Sequence, residues 1–468
     1  MPEPIHFKTV SLNPTASTVL RKNIKKEKLP KEQVRKLLSS SVLLAKKNKK
    51  RTQNIEGEDP YFPFAPDRGY IDLYGKNNSV WYWHFRAKED PENAPLVLWF
   101  QGGPGSASTM DVFYSNGPFE VFNWPKGGKK ATLRKIFWAQ KVNIIYPDFP
   151  LGVGFSTVTS ERVTHVGKQV QKQALLFFEN LLERYPEYIG RPLYIAGVSY
   201  GGHWVPHVAT ALKYSQNPDI QVKGFYISDG LIDAKIQDES YLPFALKYPE
   251  YTKFTQKFAR ECTPLLNLCI FTQGRGRNKM HARMTDSICK DSFLAKVGFY
   301  ILSKNPEFSP YFMPGPKKSP KPLHDYSFVT FLNNRTVQEY LGVRKTYFQT
   351  SNMTFSMQYT PANFYVDMKP YIARLLDDGV KGAITVGDMD FMTNYIMSEK
   401  VTSEFGWKYQ KEFNAVPRKD CKYGLCKEYK NLREIRVAGA GHGISQYKPE
   451  YALEIISALV GVGEKALD

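Results

Sequence analysis

The chain has no apolar run approaching the roughly 18–20 residues needed to cross a bilayer, so nothing in it reads as a transmembrane segment. Its first residues, MPEPIHFKTVSLNPTASTVL, lack a basic stretch followed by an apolar one and do not read as a secretory signal. Cysteine is scarce, five in 468 residues, with no C-x-x-C and no Cys/His spacing of the kind that holds zinc. Cys262, Cys269 and Cys289 cluster within 28 residues and Cys421 and Cys426 lie five apart, which permits local disulfides. The 33 glycines and 31 prolines are too few for a collagenous or low-complexity chain. Neither G-x-x-x-x-G-K-[ST] nor G-x-G-x-x-G occurs, which removes the common phosphate-binding loops and any cofactor they imply. Acidic residues are in deficit, 45 against 64 basic ones, for a net charge of +19. Residues 1–51 hold 14 of the basic and 3 of the acidic side chains, so most of the excess sits in one tail. That tail has no interleaved aromatics and no nucleic-acid-binding motif, which argues against a nucleic-acid partner.

Aromatics are plentiful at 14%, and 42% of residues are hydrophobic, enough for a large core. Residues 1–54 form a basic N-terminal extension. Within it, 29–50 places Val34, Leu37, Leu38, Val42 and Ala45 near one helical face, read here as a docked or solvated arm rather than a membrane-surface helix. The stretch 79–87 alternates and predicts an exposed or edge-type strand. Continuous apolar runs at 95–100, 141–149, 191–198, 223–230, 381–388 and 432–439 predict buried strands. A long amphipathic helix is expected over 166–188 and another from Gly202 to about Tyr214. Buried strands alternating with helices imply an α/β fold with a parallel sheet. The rhythm breaks between 236 and 365, where the clustered cysteines and a Lys/Pro-rich stretch fall. The expected organisation is a core in two parts, 55–235 and 366–468, with an inserted cap region at 236–365.

Chemistry concentrates at Gly197-Val198-Ser199-Tyr200-Gly201, between an apolar strand and a helix. A serine on such a sharp strand-to-helix turn has its hydroxyl raised over the sheet at a helix N-terminus, where developing negative charge is favoured. It needs a base and an orienting acid, in the chain order Ser…Asp…His. His442, in the glycine-rich AGAGHGIS, follows one buried strand; Asp388 and Asp390, in GDMDFMTN, follow another. The glycine pair in Gln101-Gly102-Gly103-Pro104-Gly105 follows the strand at 95–100. It can supply one backbone N–H to an oxyanion, with a second from Tyr200.

Together with YIDLYGKNNSVWYWHF, PLVLWFQGGPGSAS, NGPF, NIIYPDFPLGVGFS, IAGVSYGGHWVPHVA, NNRTVQEYLGV, GDMDFMTN and GAGHGISQYKPEYALEII, these stretches resemble the serine carboxypeptidase family over about residues 61–460. The resemblance implies an α/β-hydrolase fold, a mostly parallel sheet with helices on both faces and an inserted cap, and a catalytic triad of Ser199, Asp390 and His442. It selects Asp390 over Asp388 and supports Gly103 and Tyr200 as the oxyanion donors. It implies a peptide substrate cleaved at its C-terminus through an acyl-enzyme, with no metal and no cofactor, and a lysosomal, vacuolar or secreted setting. An acyltransferase or esterase of the same family, or an inactive relative, is the alternative implied. Side-chain preference and oligomeric state stay open.

The family recognises the substrate's terminal carboxylate with an Asn or Gln before GGPG and two acids that share a proton. Gln101 is present, but Val198 and Ser115 stand where the two acids are expected. The expectation is an altered carboxylate-recognition site without an acid-pH response from that pair. Smaller departures are Ser106 for the family's cysteine after GGPG, and Ile227-Ser228-Asp229-Gly230 for its I-G-N-G.

Overall fold

The computed structural model describes residues 59–128, 130–273, 279–319 and 326–462; the N-terminal extension of 1–54 lies outside the described residues. Among the described residues twelve strands form in chain order: β1 (Asp67–Asp72), β2 (Ser79–Phe85), β3 (Leu96–Phe100), β4 (Phe119–Glu120), β5 (Thr132–Leu133), β6 (Asn143–Pro147), β7 (Pro192–Val198), β8 (Gln221–Ser228), β9 (Lys381–Gly387), β10 (Lys419–Cys421), β11 (Gly424–Tyr429) and β12 (Leu432–Val437). Ten make one sheet in the order β1-β2-β6-β3-β7-β8-β9-β12-β11-β10, while β4 and β5 pair separately. From β6 to β12 neighbouring strands run parallel, and antiparallel strands close both edges.

The parallel strands are the continuous apolar runs of the sequence, and β3 and β6 are buried at every residue. Helices cover them, since a parallel sheet has no solvated face. Gly167–Arg184 and Gly201–Lys213 pack on each other; the first reaches β1 and the second β7 and β8, while Pro449–Val460 packs on β8 and β9. Helices also fill the stretch between β8 and β9, from Ala234 to Asp377. Tyr241, Phe244, Phe254, Phe293, Val297 and Ile301 build a second apolar cluster there, which meets the core at Val386 and Phe391. Two disulfides form, Cys269–Cys289 within this helical stretch and Cys421–Cys426 across the β10–β11 hairpin, leaving Cys262 free and buried. No helix among the described residues is long and apolar enough to cross a membrane.

β2 corrects the expectation of an exposed or edge-type strand. All seven of its residues are buried, between β1 and β6. The alternation has another cause: both faces are covered, and the polar positions are satisfied inside. Tyr82 Oη meets Tyr185 Oη at 2.8 Å, and His84 sits between Asp67 Oδ2 at 3.0 Å and Tyr188 Oη at 2.7 Å. Trp81, Trp83 and Phe85, which alternate with them, form an aromatic row.

The strand ends approach closely where β7 turns. A Cβ on Gly197 would lie 2.7 Å from the Phe100 carbonyl oxygen on β3, far inside van der Waals contact. Gly197→Ala is therefore expected to cost about 1–3 kcal/mol through overpacking, read as a lower urea midpoint at unchanged slope. A variant as stable as the wild type would show that the backbone at this crossing yields freely.

Candidate active site

Ser199 follows β7 and precedes the helix Gly201–Lys213. Its φ is +61°, a left-handed conformation that a non-glycine residue adopts only under constraint. The constraint is visible in its neighbours. The Ser199 N–H donates to the Ser228 carbonyl at 3.1 Å, and its own carbonyl accepts from the N–H groups of Gly202 and Leu231, both at 2.9 Å. Val198 and Tyr200 on either side are buried, whereas Ser199 is partly exposed. The strand-turn-helix geometry thus presents one hydroxyl at the surface of a buried turn.

The glycine-rich loop after β3 lies directly on this turn. A Cβ on Gly102 would fall 2.5 Å from the Tyr200 nitrogen and 2.6 Å from Ser199 Cβ, so only glycine fits there. Gly103, with φ +109°, continues the loop. The backbone N–H groups of Gly103 and Tyr200 have no acceptor among the described residues. Two unspent donors beside a partly exposed serine can receive an oxyanion.

Asp390 and His442 are brought together. Asp390 is fully buried in the loop after β9, and its Oδ2 lies 2.8 Å from His442 Nδ1. The rest of the carboxylate is held by the Met392 N–H at 2.8 Å, the Thr393 N–H at 3.3 Å and the Thr393 hydroxyl at 2.7 Å. Asp388 faces elsewhere and accepts from the Gly439 N–H at 2.8 Å. An Nδ1–H donated to Asp390 leaves Nε2 with a free lone pair, the tautomer a general base requires. Burial pulls the imidazole's pKa down, but the charge and hydrogen bond of Asp390, with the charge of Asp229, outweigh it and hold His442 above its ordinary value. The helical stretch between β8 and β9 positions both loops. Its Tyr311 carbonyl accepts the His442 N–H at 2.7 Å, and its Pro310 carbonyl accepts the Phe391 and Met392 N–H groups at 3.0 Å.

No hydrogen bond joins the Ser199 hydroxyl to His442 among the described residues; their segments come near each other at Gly443 and the Val198 side chain. A Cβ on Gly443 would contact Val198 Cγ2 at 3.9 Å. Asp229, after β8, reinforces that approach and had only been noticed in the sequence as a departure from I-G-N-G. Its buried carboxylate accepts the Gly387 N–H at 2.8 Å, the Gly443 N–H at 2.9 Å and the Ser228 hydroxyl at 2.7 Å. Burial and then the charge of Asp390 raise it to about 6, against the opposing pull of His442 and its hydrogen bonds.

The residues expected to meet a substrate carboxylate are placed differently. Val198 and Ser115 are both buried, and neither brings a charge. Gln101 is occupied within the protein: its Nε2 donates to both carboxylate oxygens of Asp111, at 3.0 and 2.9 Å, and its Oε1 accepts the Gly102 N–H at 2.7 Å. Asp111 also accepts from Trp99 Nε1 at 2.6 Å. It is 1% exposed, and burial raises it to about 7 despite those hydrogen bonds and the nearby Arg134. Sequence reading missed Asp111 because it is one acid in the short helix Thr109–Tyr114, and its partners come from β3 and the loop after it. Thr393 was missed for a similar reason: its hydroxyl lies 3.0 Å from His442 Nδ1 as well as against Asp390, which places it between acid and base. Asp238, Cys269 and Cys289 approach within 4.8 Å of one another, but the two sulfurs are bonded to each other and so are spent as thiolate ligands.

The family profile described as serine carboxypeptidase matches residues 56–461 of the chain. Carboxypeptidase S1 of Penicillium janthinellum is 26% identical over 420 residues, covering 84% of this chain and 94% of that protein. Serine carboxypeptidase 3 of Hordeum vulgare is 28% identical over 404 residues, covering 83% and 76% respectively. Among solved structures, the prohormone-processing carboxypeptidase Kex1(delta)p of Saccharomyces cerevisiae superposes with a TM-score of 0.71 at 20% identity, over 85% of this chain and 91% of that one, a likeness of fold.

If Asp390 is what holds the imidazole up, Asp390→Asn must lower the midpoint of His442, read from its ring C–H resonance by NMR and assigned with His442→Gln. An unchanged midpoint would contradict the electrostatic account of this pair.

Proposed function

The chain belongs to the serine carboxypeptidase family of α/β-hydrolase-fold hydrolases, and on that footing we propose that it removes C-terminal residues from peptides through Ser199, His442 and Asp390. The observation that carries this reading is the Asp390–His442 pair at 2.8 Å, on loops packed against the strained turn of Ser199. Ser199 Oγ attacks the scissile carbonyl, and His442 Nε2 takes its proton. Asp390 holds the imidazole by Nδ1 and stabilises the imidazolium as it forms. The N–H groups of Gly103 and Tyr200 receive the oxyanion. The imidazolium then protonates the departing amine, leaving an acyl-enzyme, and His442 activates water to release it.

The carboxylate-recognition site, in this reading, is altered in kind. With no acids at Val198 and Ser115, the carboxyl that matters is Asp111, behind Gln101 rather than beside it. Ionised, it takes the Gln101 amide hydrogens inward, and Oε1 covers the Gly102 N–H. Protonated, it becomes a donor and needs an acceptor. A half-turn of the Gln101 amide supplies Oε1 to it and puts Nε2 where Oε1 stood, beside a freed Gly102 N–H. Two donors then face the substrate's terminal carboxylate. The sign follows: Asp111 is protonated below about 7, so preference for a free C-terminus rises as pH falls through that value.

The reading is tested with a blocked dipeptide and its C-terminal amide. Wild type releases the C-terminal residue, and Asp390→Asn lowers kcat by roughly 10⁴. Cleavage of activated esters with peptides spared would overturn the peptidase reading. The acid-over-amide ratio in kcat/KM climbs toward acid pH in wild type and is flat in Asp111→Asn; parallel profiles would remove Asp111 from the recognition site.

A further inference from the structure

The end of the helix Ala234–Lys247, the helix Tyr395–Thr402 and the outer strands β11 and β12 border an open cleft of about 560 Å³, lined by none of Ser199, His442 and Asp390. Five cations line it: Lys247, Lys400, Arg418, Lys427 and Arg436. The cross-strand pairing of Leu425 with Arg436 and of Lys427 with Glu434 places these side chains on one face of the sheet.

The carboxylates around the cleft are all engaged. Glu399 is held by Arg436 through Nε at 2.9 Å and approached by Arg418 at 3.5 Å. Glu434 is paired with Arg418 at 2.6 Å and accepts the Thr402 hydroxyl. Glu239 is paired with Lys400 at 2.8 Å. Two cations are left over. Among the described residues, neither Lys427 nor Lys247 has a carboxylate within 4.0 Å or a hydrogen-bond acceptor. Lys247 is exposed and lies 5.1 Å over the ring of Tyr395. Lys427 is 5% exposed as a whole residue; its stem is buried, and its ammonium, 4.3 Å over the Phe413 ring, reaches the cleft. Burial and the adjacent Arg418 push Lys427 below its ordinary value, while Glu434 and Glu399 pull the other way.

We propose that this cleft binds a phosphate dianion, free or as a monoester. Lys247 and Lys427 are the two lining cations without a carboxylate partner among the described residues, and a phosphate dianion matches their charge. The anion supplies the acceptor that Lys427 lacks, with Arg418 and Arg436 fixed beside it by their glutamates. The volume accommodates a small organic group besides the phosphate, and Tyr395 forms part of the wall. This site is independent of the hydrolytic chemistry proposed above.

The test is isothermal titration calorimetry at low ionic strength, with inorganic phosphate and glycerol 3-phosphate as probes. Saturable one-to-one binding is expected in wild type and equally in Ser199→Ala. Lys427→Met, which keeps the buried stem and removes the charge, weakens it by about tenfold or more, the worth of one charge-assisted hydrogen bond. It leaves peptide hydrolysis unchanged. Lys247→Met, at an exposed position that leaves the fold intact, weakens it by a smaller factor. Tighter binding of the monoester assigns the site to a phosphorylated small molecule, and equal binding to the inorganic anion; both support it. Absence of saturable binding to the wild type at millimolar probe, or undiminished binding in both lysine variants, overturns the proposal.

Discussion

The buried carboxylate of Asp229 ties together the ends of three neighbouring strands, β8, β9 and β12, and the loops that leave them. It accepts from Gly387 at the end of β9, from Gly443 beside His442 and from the Ser228 hydroxyl at the end of β8. The Ser228 carbonyl in turn takes the N–H of Ser199. The Ser199 turn, the loop after β9 and the His442 loop therefore hang on one short stretch of backbone. The arrangement places a second negative group near His442 in a dry environment, where charges act strongly. An asparagine there would accept through one oxygen only, so two carboxylate oxygens suit the two backbone donors on either side.

Three aspartates in and around the site illustrate how environment separates identical side chains. Asp390 is wrapped in donors and faces an imidazole, the setting the proposed orienting role requires. Asp229 has backbone donors but also the charge of Asp390 as a neighbour, and is raised to about 6. Asp111 has a tryptophan and a glutamine amide for company, and burial carries it to about 7. One family of contacts stabilises charge and another withdraws water from it; the balance sets each role.

The parallel strands were legible because each is buried on both faces and so appears as an unbroken apolar run. The turn at Ser199 was legible because its glycines answer a close approach that any sequence making this crossing must accommodate. β2 was misread because Tyr82 and His84 imitate a solvated alternation while finding their partners inside. Asp388 and Asp390 are two residues apart on one loop, and spacing alone left both open; they part company only in which backbone each reaches. Asp111 and Thr393 were invisible because their importance lies in contacts to other segments, which no local pattern encodes. The helical stretch between β8 and β9 was legible as a break in rhythm, but its hold on the loops of Asp390 and His442 through Pro310 and Tyr311 was not.

The account stands or falls on whether Ser199 is an activated nucleophile. Reaction with a fluorophosphonate probe, followed by intact mass and peptide mapping, asks this without assuming a substrate, since such a probe couples to a serine only when base and oxyanion donors are assembled around it. The account predicts a single adduct on Ser199 that disappears in Ser199→Ala and is strongly slowed in His442→Ala. Folded protein that stays unlabelled across a range of pH, or labelling that persists in Ser199→Ala, would contradict it.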